Sequence, residues 1–212
     1  MPAKRLIGDI ARYYTTLKEA FPEMEIDPRI WGPKGLEILS EMAKTGPIFR
    51  QTASYLIEHN TKLYLTREAK GIGAGWHETF SGERWISVDQ SFGFIDSLLA
   101  IGHETRHLRQ DIRVRCSVEG EYSAWRLYYI LRAEFSSSGI HIPLSEDEQR
   151  LAAMPDNPTR QDLIAAQALI QKMAGPYYLI GKAPLKGEDW PTAFLAFGLK
   201  ILNRIMYRGE LI

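Results

Sequence analysis

Apolar positions recur at helical spacing through most of the first 60 residues of this chain. Gly46 and Pro47 punctuate the pattern, because glycine commonly follows the end of a helix and proline commonly occupies its first position. The stretch 21–33 contains prolines and reads as a connector. The pattern therefore predicts helices over about residues 3–20, 34–45 and 47–60.

After Thr61 the spacing of apolar residues becomes typical of strands. β-branched and aromatic residues become frequent there, and Ser81, Gly82 and Glu83 form a turn signal before the last strand. The predicted strands cover residues 62–66, 71–79 and 84–89. The last two are expected to form a β-hairpin.

Helical spacing returns at residue 93 and continues through most of the remaining chain. Ser145 with Glu148, and Thr159 with Asp162, have the spacing of a capping box at the start of a helix. The predicted helices cover residues 93–115, 118–135, 146–153, about 160–174 and 191 to about 207, with a loop over 136–143. The whole pattern indicates a mostly helical α+β protein.

Length and composition agree with an ordinary globular chain. It has 212 residues, of which 45% are hydrophobic and 25% are charged, so it can bury a sizeable core. The elements divide it into an N-terminal helical region (1–60), a core (61–140) and a C-terminal helical region (141–212). We expect these three regions to form one compact unit.

Charge and hydropathy argue against several classes of partner. The 26 basic and 26 acidic residues cancel and form no long block, so nothing favours nucleic acid or an anionic membrane. No stretch reaches the roughly 18 apolar residues that a membrane span needs, and residues 1–20 do not resemble a signal peptide. With one cysteine, no intramolecular disulfide is expected. The expected compartment is the cytoplasm, and secretion by a route that reads no N-terminal signal stays open.

The candidate chemistry is concentrated in residues 103–107, which have the H-E-x-x-H spacing. Residues four apart on a helix lie about one turn apart, so His103 and His107 can both bind one zinc ion. Glu104 lies about 100° further round and can accept a proton from a bound water as a general base. With 5 histidines in the chain, composition predicts on the order of 0.01 chance matches. The alternative is a surface helix whose histidines pair only with nearby acids or solvent.

In the order of its elements, the stretch 61–135 resembles the zincin metallopeptidases of the gluzincin branch. The flanking helices resemble those of an uncharacterised bacterial metallopeptidase-like family. The resemblance implies a zincin-like core with a small sheet, the H-E-x-x-H helix and a returning helix. It also implies a zinc ion whose third ligand is a glutamate of that returning helix. The metzincin continuation fails, because Gln110 and Arg113 stand where that branch has glycine and histidine.

Glu121 is the preferred third ligand among three candidate glutamates. It shares a stripe with apolar residues such as Trp125, so its side of the helix is expected to face inward, and Ala124 leaves room for close approach. Glu119 points about 160° away, where a solvated carboxylate is the ordinary interpretation. Glu134 lies more than three turns beyond Glu121. Glu119 and Glu134 stay open as alternatives.

Two positions depart from the gluzincin pattern. Arg106 lies inside the pentapeptide, where zincins usually have an uncharged residue, and Trp125 stands where the thermolysin-like subgroup has an aspartate that orients a histidine. A histidine that binds a metal normally donates its other N–H to an acceptor. Asp96 and Asp111 are candidates for that acceptor.

The resemblance predicts a zinc-dependent metallopeptidase that acts on a peptide or protein. Glu104 would accept the proton of the attacking water and return it to the leaving amine. His141 is the first choice to stabilise the oxyanion, with Tyr122, Tyr128 and Tyr129 as alternatives. Two other functions stay open: a zincin fold that acts on a non-peptide amide, and a catalytically inactive helical interaction protein.

An extended peptide commonly binds by adding to the edge of a sheet. The strand 71–79 or the strand 84–89 could supply that edge. Gly71, Gly73 and Gly75 would allow a second backbone to approach closely, and the alternative is that they form bulges or a flexible hairpin.

Overall fold

Helices dominate the computed structural model of this chain, which describes residues 2–66, 73–79, 81–115, 117–137, 139–174, 183 and 185. Within these residues the helices accompany one three-stranded sheet. The predicted α+β class with mostly helical content is therefore confirmed. No helix in the described part of the chain is both long and apolar enough to cross a membrane.

The N-terminal region forms three helices, α1 (Pro2–Ala20), α2 (Gly32–Thr45) and α3 (Pro47–Glu58). These bounds confirm the predicted helices to within two residues. Proline occupies the first turn of both α2 and α3, where its missing N–H has no helical partner to lose. Helix α2 packs against α1 and α3. Their apolar faces bury side chains that include Leu17, Leu36, Leu39, Met42, Phe49 and Leu56.

The sheet contains β1 (Lys62–Thr66), β2 (Ala74–Glu78) and β3 (Arg84–Asp89) in the order β1-β3-β2. Strand β3 pairs in parallel with β1 and antiparallel with β2. The predicted turn between β2 and β3 is confirmed, with the Gly82 N–H donating to the Thr79 carbonyl at 3.0 Å. Gly82 has a φ of 83°, which favours glycine. Residues 71 and 72 of the predicted second strand lie outside the described residues.

The predicted single helix over 93–115 is wrong, because the structure divides it into α4 (Phe94–Leu108) and α5 (Ile112–Arg115). No glycine or proline marks the break in the sequence. The guanidinium of Arg115 donates to the carbonyls of Leu108 and Gln110 at 3.2 and 3.0 Å. These bonds satisfy backbone acceptors at and just beyond the end of α4. Helix α6 (Val118–Ser137) follows and confirms the predicted returning helix, extended by two residues.

Two further helices confirm the capping boxes in the sequence. Helix α7 (Glu146–Ala152) begins at Ser145, whose hydroxyl accepts the Glu148 N–H while the Glu148 carboxylate accepts the Ser145 N–H. Helix α8 (Arg160–Ala174) begins after Thr159, which exchanges the same pair of bonds with Asp162. The helix predicted over 191–207 lies outside the described residues.

Contacts divide the chain into two compact units. The first, Met1–Arg106 with Leu127–Pro143, includes the edge-to-face rings of Phe49 and Phe135, whose centroids lie 4.8 Å apart. The second comprises His107–Arg126 and Leu144–Ile212, and its described residues include α7 and α8. In that unit the Tyr122 hydroxyl donates to the Pro155 carbonyl at 2.6 Å. The predicted division at residues 60 and 140 stays a prediction.

Candidate metal centre

Helix α4 positions the three chemically important residues of the pentapeptide. His103, Glu104 and His107 are 7%, 8% and 2% exposed, so the motif lies in the interior and not on a surface helix. The residue before the motif, Gly102, is in close contact with α6. A Cβ added at Gly102 would lie 2.1 Å from Leu131 Cδ1, so the Leu131 side chain would have to move. The absence of a side chain at Gly102 therefore allows Leu131 to approach the backbone of α4 beside His103.

Glu121 lies in the first turn of α6 and is 3% exposed. The Ser117 hydroxyl begins the helix by accepting the Gly120 N–H at 3.2 Å, as an N-cap residue does. Gly120 packs tightly against the preceding segment, since an added Cβ would lie 2.1 Å from the Val114 carbonyl oxygen. The cap and this close approach fix the start of α6, and with it the backbone of Glu121.

His103, His107 and Glu121 converge. Each offers one ligand atom, and these atoms all lie within 4.8 Å of one another. His107 Nε2 lies 3.5 Å from Glu121 Oε2. This buried group could hold a metal ion. The proximity of Glu121 to the two imidazoles is what the stripe on the returning helix predicted.

The other two candidate glutamates have different surroundings. Glu119 is half-buried and is not part of the converging group. The Glu134 carboxylate accepts the Ile48 and Phe49 N–H groups at 2.8 and 2.9 Å. These are free amide donors in the first turn of α3, so Glu134 has the role of a capping group.

A residue that the sequence analysis did not select, Gln110, contacts His107 from the other side. Gln110 Oε1 lies 3.2 Å from His107 Nδ1, and Gln110 Nε2 donates to the Gly120 carbonyl at 3.0 Å. A carbonyl can only accept, so the amide nitrogen of Gln110 must face Gly120 and its oxygen must face His107. His107 Nδ1 therefore carries a proton, and Nε2 is the ring nitrogen that faces Glu121.

This arrangement fits a cation. In a neutral His107, the Nε2 lone pair and a Glu121 oxygen are both acceptors, and two buried acceptors at 3.5 Å repel unless positive charge lies between them. A proton on Nε2 or a metal ion would supply that charge. Two imidazoles and one carboxylate form a donor set that zinc accepts well. The chemistry of the donors therefore suits a divalent metal of the zinc type.

Glu104 is held by the backbone of the sheet. Its Oε2 accepts the Trp76 N–H of β2 at 2.9 Å, and Trp76 itself is 8% exposed. One main-chain donor thus fixes one carboxylate oxygen. No local pattern in the sequence predicts this contact, because it joins residues 28 positions apart.

The hydrogen-bonding pattern of β2 shows which side of the strand Glu104 occupies. The Gly73 carbonyl accepts a bond from Asp89, and the Thr79 N–H donates to Glu83. Backbone groups alternate in direction along an antiparallel strand, so the N–H and C=O groups of the odd-numbered residues of β2 point toward β3. The backbone groups of the even-numbered residues, Ala74, Trp76 and Glu78, point away from β3. Glu104 therefore contacts the edge of β2 that is turned away from β3.

Two expectations about the sheet need correction. Strand β3 is the central strand, so residues 84–89 cannot supply a sheet edge. Gly73 has a φ of 67°, and a Cβ there would lie 2.4 Å from Phe92 Cζ. The close neighbour of Gly73 is thus a ring of the same chain. Gly75 is buried opposite Ser87, and Gly71 lies outside the described residues.

The remaining predicted site residues lie in other settings. Asp96 and Asp111, the candidate acceptors for the histidines, are both exposed. His141 is exposed in the irregular segment after α6, and its catalytic role stays a prediction. Tyr122 donates its hydroxyl proton to Pro155, and burial raises the pKa of that hydroxyl. Tyr129 is buried edge-to-face against Tyr128.

Comparisons with known proteins were made with family models, curated proteins and solved structures, and none of them matches this chain.

Proposed function

We propose that this protein is a zinc-dependent hydrolase of peptide bonds with a zincin-like core. His103, His107 and Glu121 would hold the metal, and Glu104 would act as the general base. The observation that carries the proposal is the convergence of two imidazoles and one carboxylate within 4.8 Å, in a buried group on two helices. The adjacent acid, Glu104, is itself fixed by a backbone donor.

Zinc is the proposed metal because of the donors. Two histidine nitrogens and one carboxylate are the three protein ligands of a well-known class of catalytic zinc site, in which a fourth position is left for water. Bound zinc acidifies that water and polarises a substrate carbonyl. Two neutral imidazoles, one carboxylate and a divalent ion sum to a net charge of +1, which favours a developing oxyanion.

Glu104 would transfer a proton from the attacking water to the leaving amine. One of its oxygens is occupied by the Trp76 N–H, so the carboxylate cannot rotate freely. The other oxygen would accept the proton of the attacking water and later give it to the leaving amine. A general base that is held in place in this way needs no reorganisation as the water attacks.

The edge of β2 supports the proposal that the substrate is an extended peptide. The backbone groups of Ala74 and Glu78 face the side of β2 that Glu104 contacts, and the Trp76 N–H between them is already bonded to Glu104. A peptide that pairs with this edge on either side of the Trp76 N–H would bring a backbone carbonyl toward Glu104. Main-chain pairing of this kind accepts many side chains, so it predicts endopeptidase activity with broad sequence preference.

Metal content is the first test. Purified protein should contain close to one zinc per chain, and His103→Ala should lose it. His59→Ala is the matched control, because His59 is exposed at the end of α3 and stacks on Tyr55. A wild-type protein that binds no zinc at micromolar metal would overturn the proposal.

Turnover is the second test, measured with a mixture of quenched fluorescent peptides. Glu104→Gln should keep its zinc and lose about 10²–10⁴-fold in kcat, the contribution of a positioned general base. Glu58→Gln, an exposed glutamate at the end of α3, should change neither. Zinc binding without any peptide cleavage by the wild type would favour a non-peptide amide or an inactive scaffold.

A further inference from the structure

Gln110 joins the two elements of the proposed metal site. It lies in the short segment between α4 and α5, after the last turn of the motif helix. Its side chain contacts His107 through Oε1 at 3.2 Å and the Gly120 carbonyl through Nε2 at 3.0 Å. Gly120 directly precedes Glu121. One amide therefore contacts one proposed ligand and the backbone next to another.

We infer that Gln110 is a positioning residue, which fixes the nitrogen that His107 directs toward Glu121. The inference rests on the proposed metal site and concerns a residue that the zincin resemblance does not supply. A histidine that can hold its proton on either nitrogen presents the metal with the correct lone pair only part of the time. An acceptor at Nδ1 removes the wrong tautomer and fixes the plane of the ring.

The hydrogen bond from Gln110 Nε2 to the Gly120 carbonyl determines which His107 tautomer is favoured. It holds the amide nitrogen of Gln110 away from His107, because that nitrogen needs an acceptor. If the amide were reversed, its NH₂ group would face Nδ1 and would favour the proton on Nε2. The Gly120 carbonyl thus sets the orientation of Gln110, which in turn sets the tautomer of His107.

The two aspartates that the sequence suggests as acceptors differ from Gln110 in burial. Asp96 and Asp111 are exposed, whereas Gln110 is half-buried. A neutral acceptor also leaves the net charge of the site unchanged, unlike the aspartate that the thermolysin-like subgroup uses. Gln110 therefore provides orientation without lowering the positive charge that the proposed chemistry needs.

Zinc affinity, measured by competition with a chromophoric chelator, tests the inference. Gln110→Ala should weaken zinc binding about 10–100-fold, the usual effect of removing a residue that supports a ligand. Gln149→Ala is the matched control, since Gln149 Nε2 also donates to a backbone carbonyl, that of Leu144, at 2.9 Å. It should bind zinc within about twofold of the wild type. Equal affinities for the two alanine variants would overturn the inference.

Gln110→Glu separates the two contacts of the side chain. A carboxylate still accepts from His107 Nδ1 but cannot donate to the Gly120 carbonyl. Zinc affinity within about threefold of the wild type would assign the effect to His107, as we expect. An affinity as low as that of Gln110→Ala would assign it to the backbone at Gly120 and overturn the inference.

Nitrogen chemical shifts of the imidazoles test the same contact without metal. In the metal-free wild type, His107 Nδ1 should carry a proton, and in Gln110→Ala the two tautomers should exchange. Identical His107 shifts in both proteins would overturn the inference even if zinc binds. A wild type that binds no zinc but shows the expected shifts would reject the proposed function and keep the role of Gln110.

Discussion

The two ends of α6 show two different uses of a carboxylate. Near its start, Glu121 lies 3.5 Å from the imidazole of His107, within a buried group that could hold a metal ion. Near its end, Glu134 accepts two backbone N–H groups from the first turn of α3. The same residue type on the same helix thus belongs to a candidate site in one place and to a helix cap in the other.

The difference lies in the groups that face each carboxylate. Amide donors satisfy Glu134 without any added ion, and Gly46 leaves space for it, since a Cβ there would lie 2.8 Å from Glu134 Cδ. Glu121 faces a histidine whose other nitrogen is already bonded to Gln110. A proton or a metal ion between the carboxylate and such a ring would be favourable. The neighbours of an acid, more than its burial, therefore distinguish a site from a structural contact.

The largest effect is expected from Glu121→Gln. Replacing a proposed ligand by a neutral amide should weaken zinc binding by more than the roughly 10–100-fold that loss of a supporting residue costs. The measurement is zinc affinity by chelator competition. Glu119→Gln, two positions away and outside the converging group, should bind zinc like the wild type. The reverse result would move the third ligand to Glu119.

Glu134→Gln should affect the fold and not the metal. Glutamine can keep one of the two bonds to α3 but loses the negative charge at the helix N-terminus, so the free energy of unfolding should fall by about 1–2 kcal/mol. Urea denaturation of the metal-free protein measures the change. Reduced zinc affinity at unchanged stability would contradict the assignment of Glu121 to the metal site and of Glu134 to the helix cap.

Tyr122→Phe tests whether the residue next to Glu121 is structural. Losing the hydroxyl bond to Pro155 should lower the free energy of unfolding by about 1 kcal/mol and leave kcat unchanged. Burial raises the pKa of Tyr122, so the folded state holds this proton more tightly than the unfolded state. The free energy of unfolding of the wild type should accordingly fall as pH rises above about 10. The part of this decrease that is due to Tyr122 should be missing in Tyr122→Phe. A large loss of kcat in Tyr122→Phe would instead make the hydroxyl an oxyanion donor.

Local periodicity explains what the sequence could predict. The spacing of His103 and His107 on one helix, and the stripe that contains Glu121, are both properties of a single helix. Capping boxes before α7 and α8 are likewise local. These features need no knowledge of the tertiary structure, and the structure contains all of them.

Contacts between distant segments explain what the sequence could not predict. No glycine or proline marks the break after α4. Arg115 stabilises it instead, by donating hydrogen bonds to the carbonyls of Leu108 and Gln110. The backbone donor to Glu104 comes from Trp76, and the parallel pairing of β1 with β3 joins strands that are not neighbours in sequence. Such contacts depend on the tertiary packing and produce no periodic pattern in the sequence.

The smallest effect is expected from His141→Ala. The sequence predicts His141 as the oxyanion donor, and loss of such a donor costs about 10²–10³ in kcat. Its side chain is exposed after α6, whereas the proposed ligands and Glu104 are buried. An exposed imidazole competes with water for any partner, so we expect kcat to stay within about threefold of the wild type. A loss of 100-fold or more, with zinc content unchanged, would show that His141 reaches the reacting carbonyl when substrate is bound. The segment that follows α6 would then contribute a catalytic residue, in addition to the proposed ligand near the start of the helix.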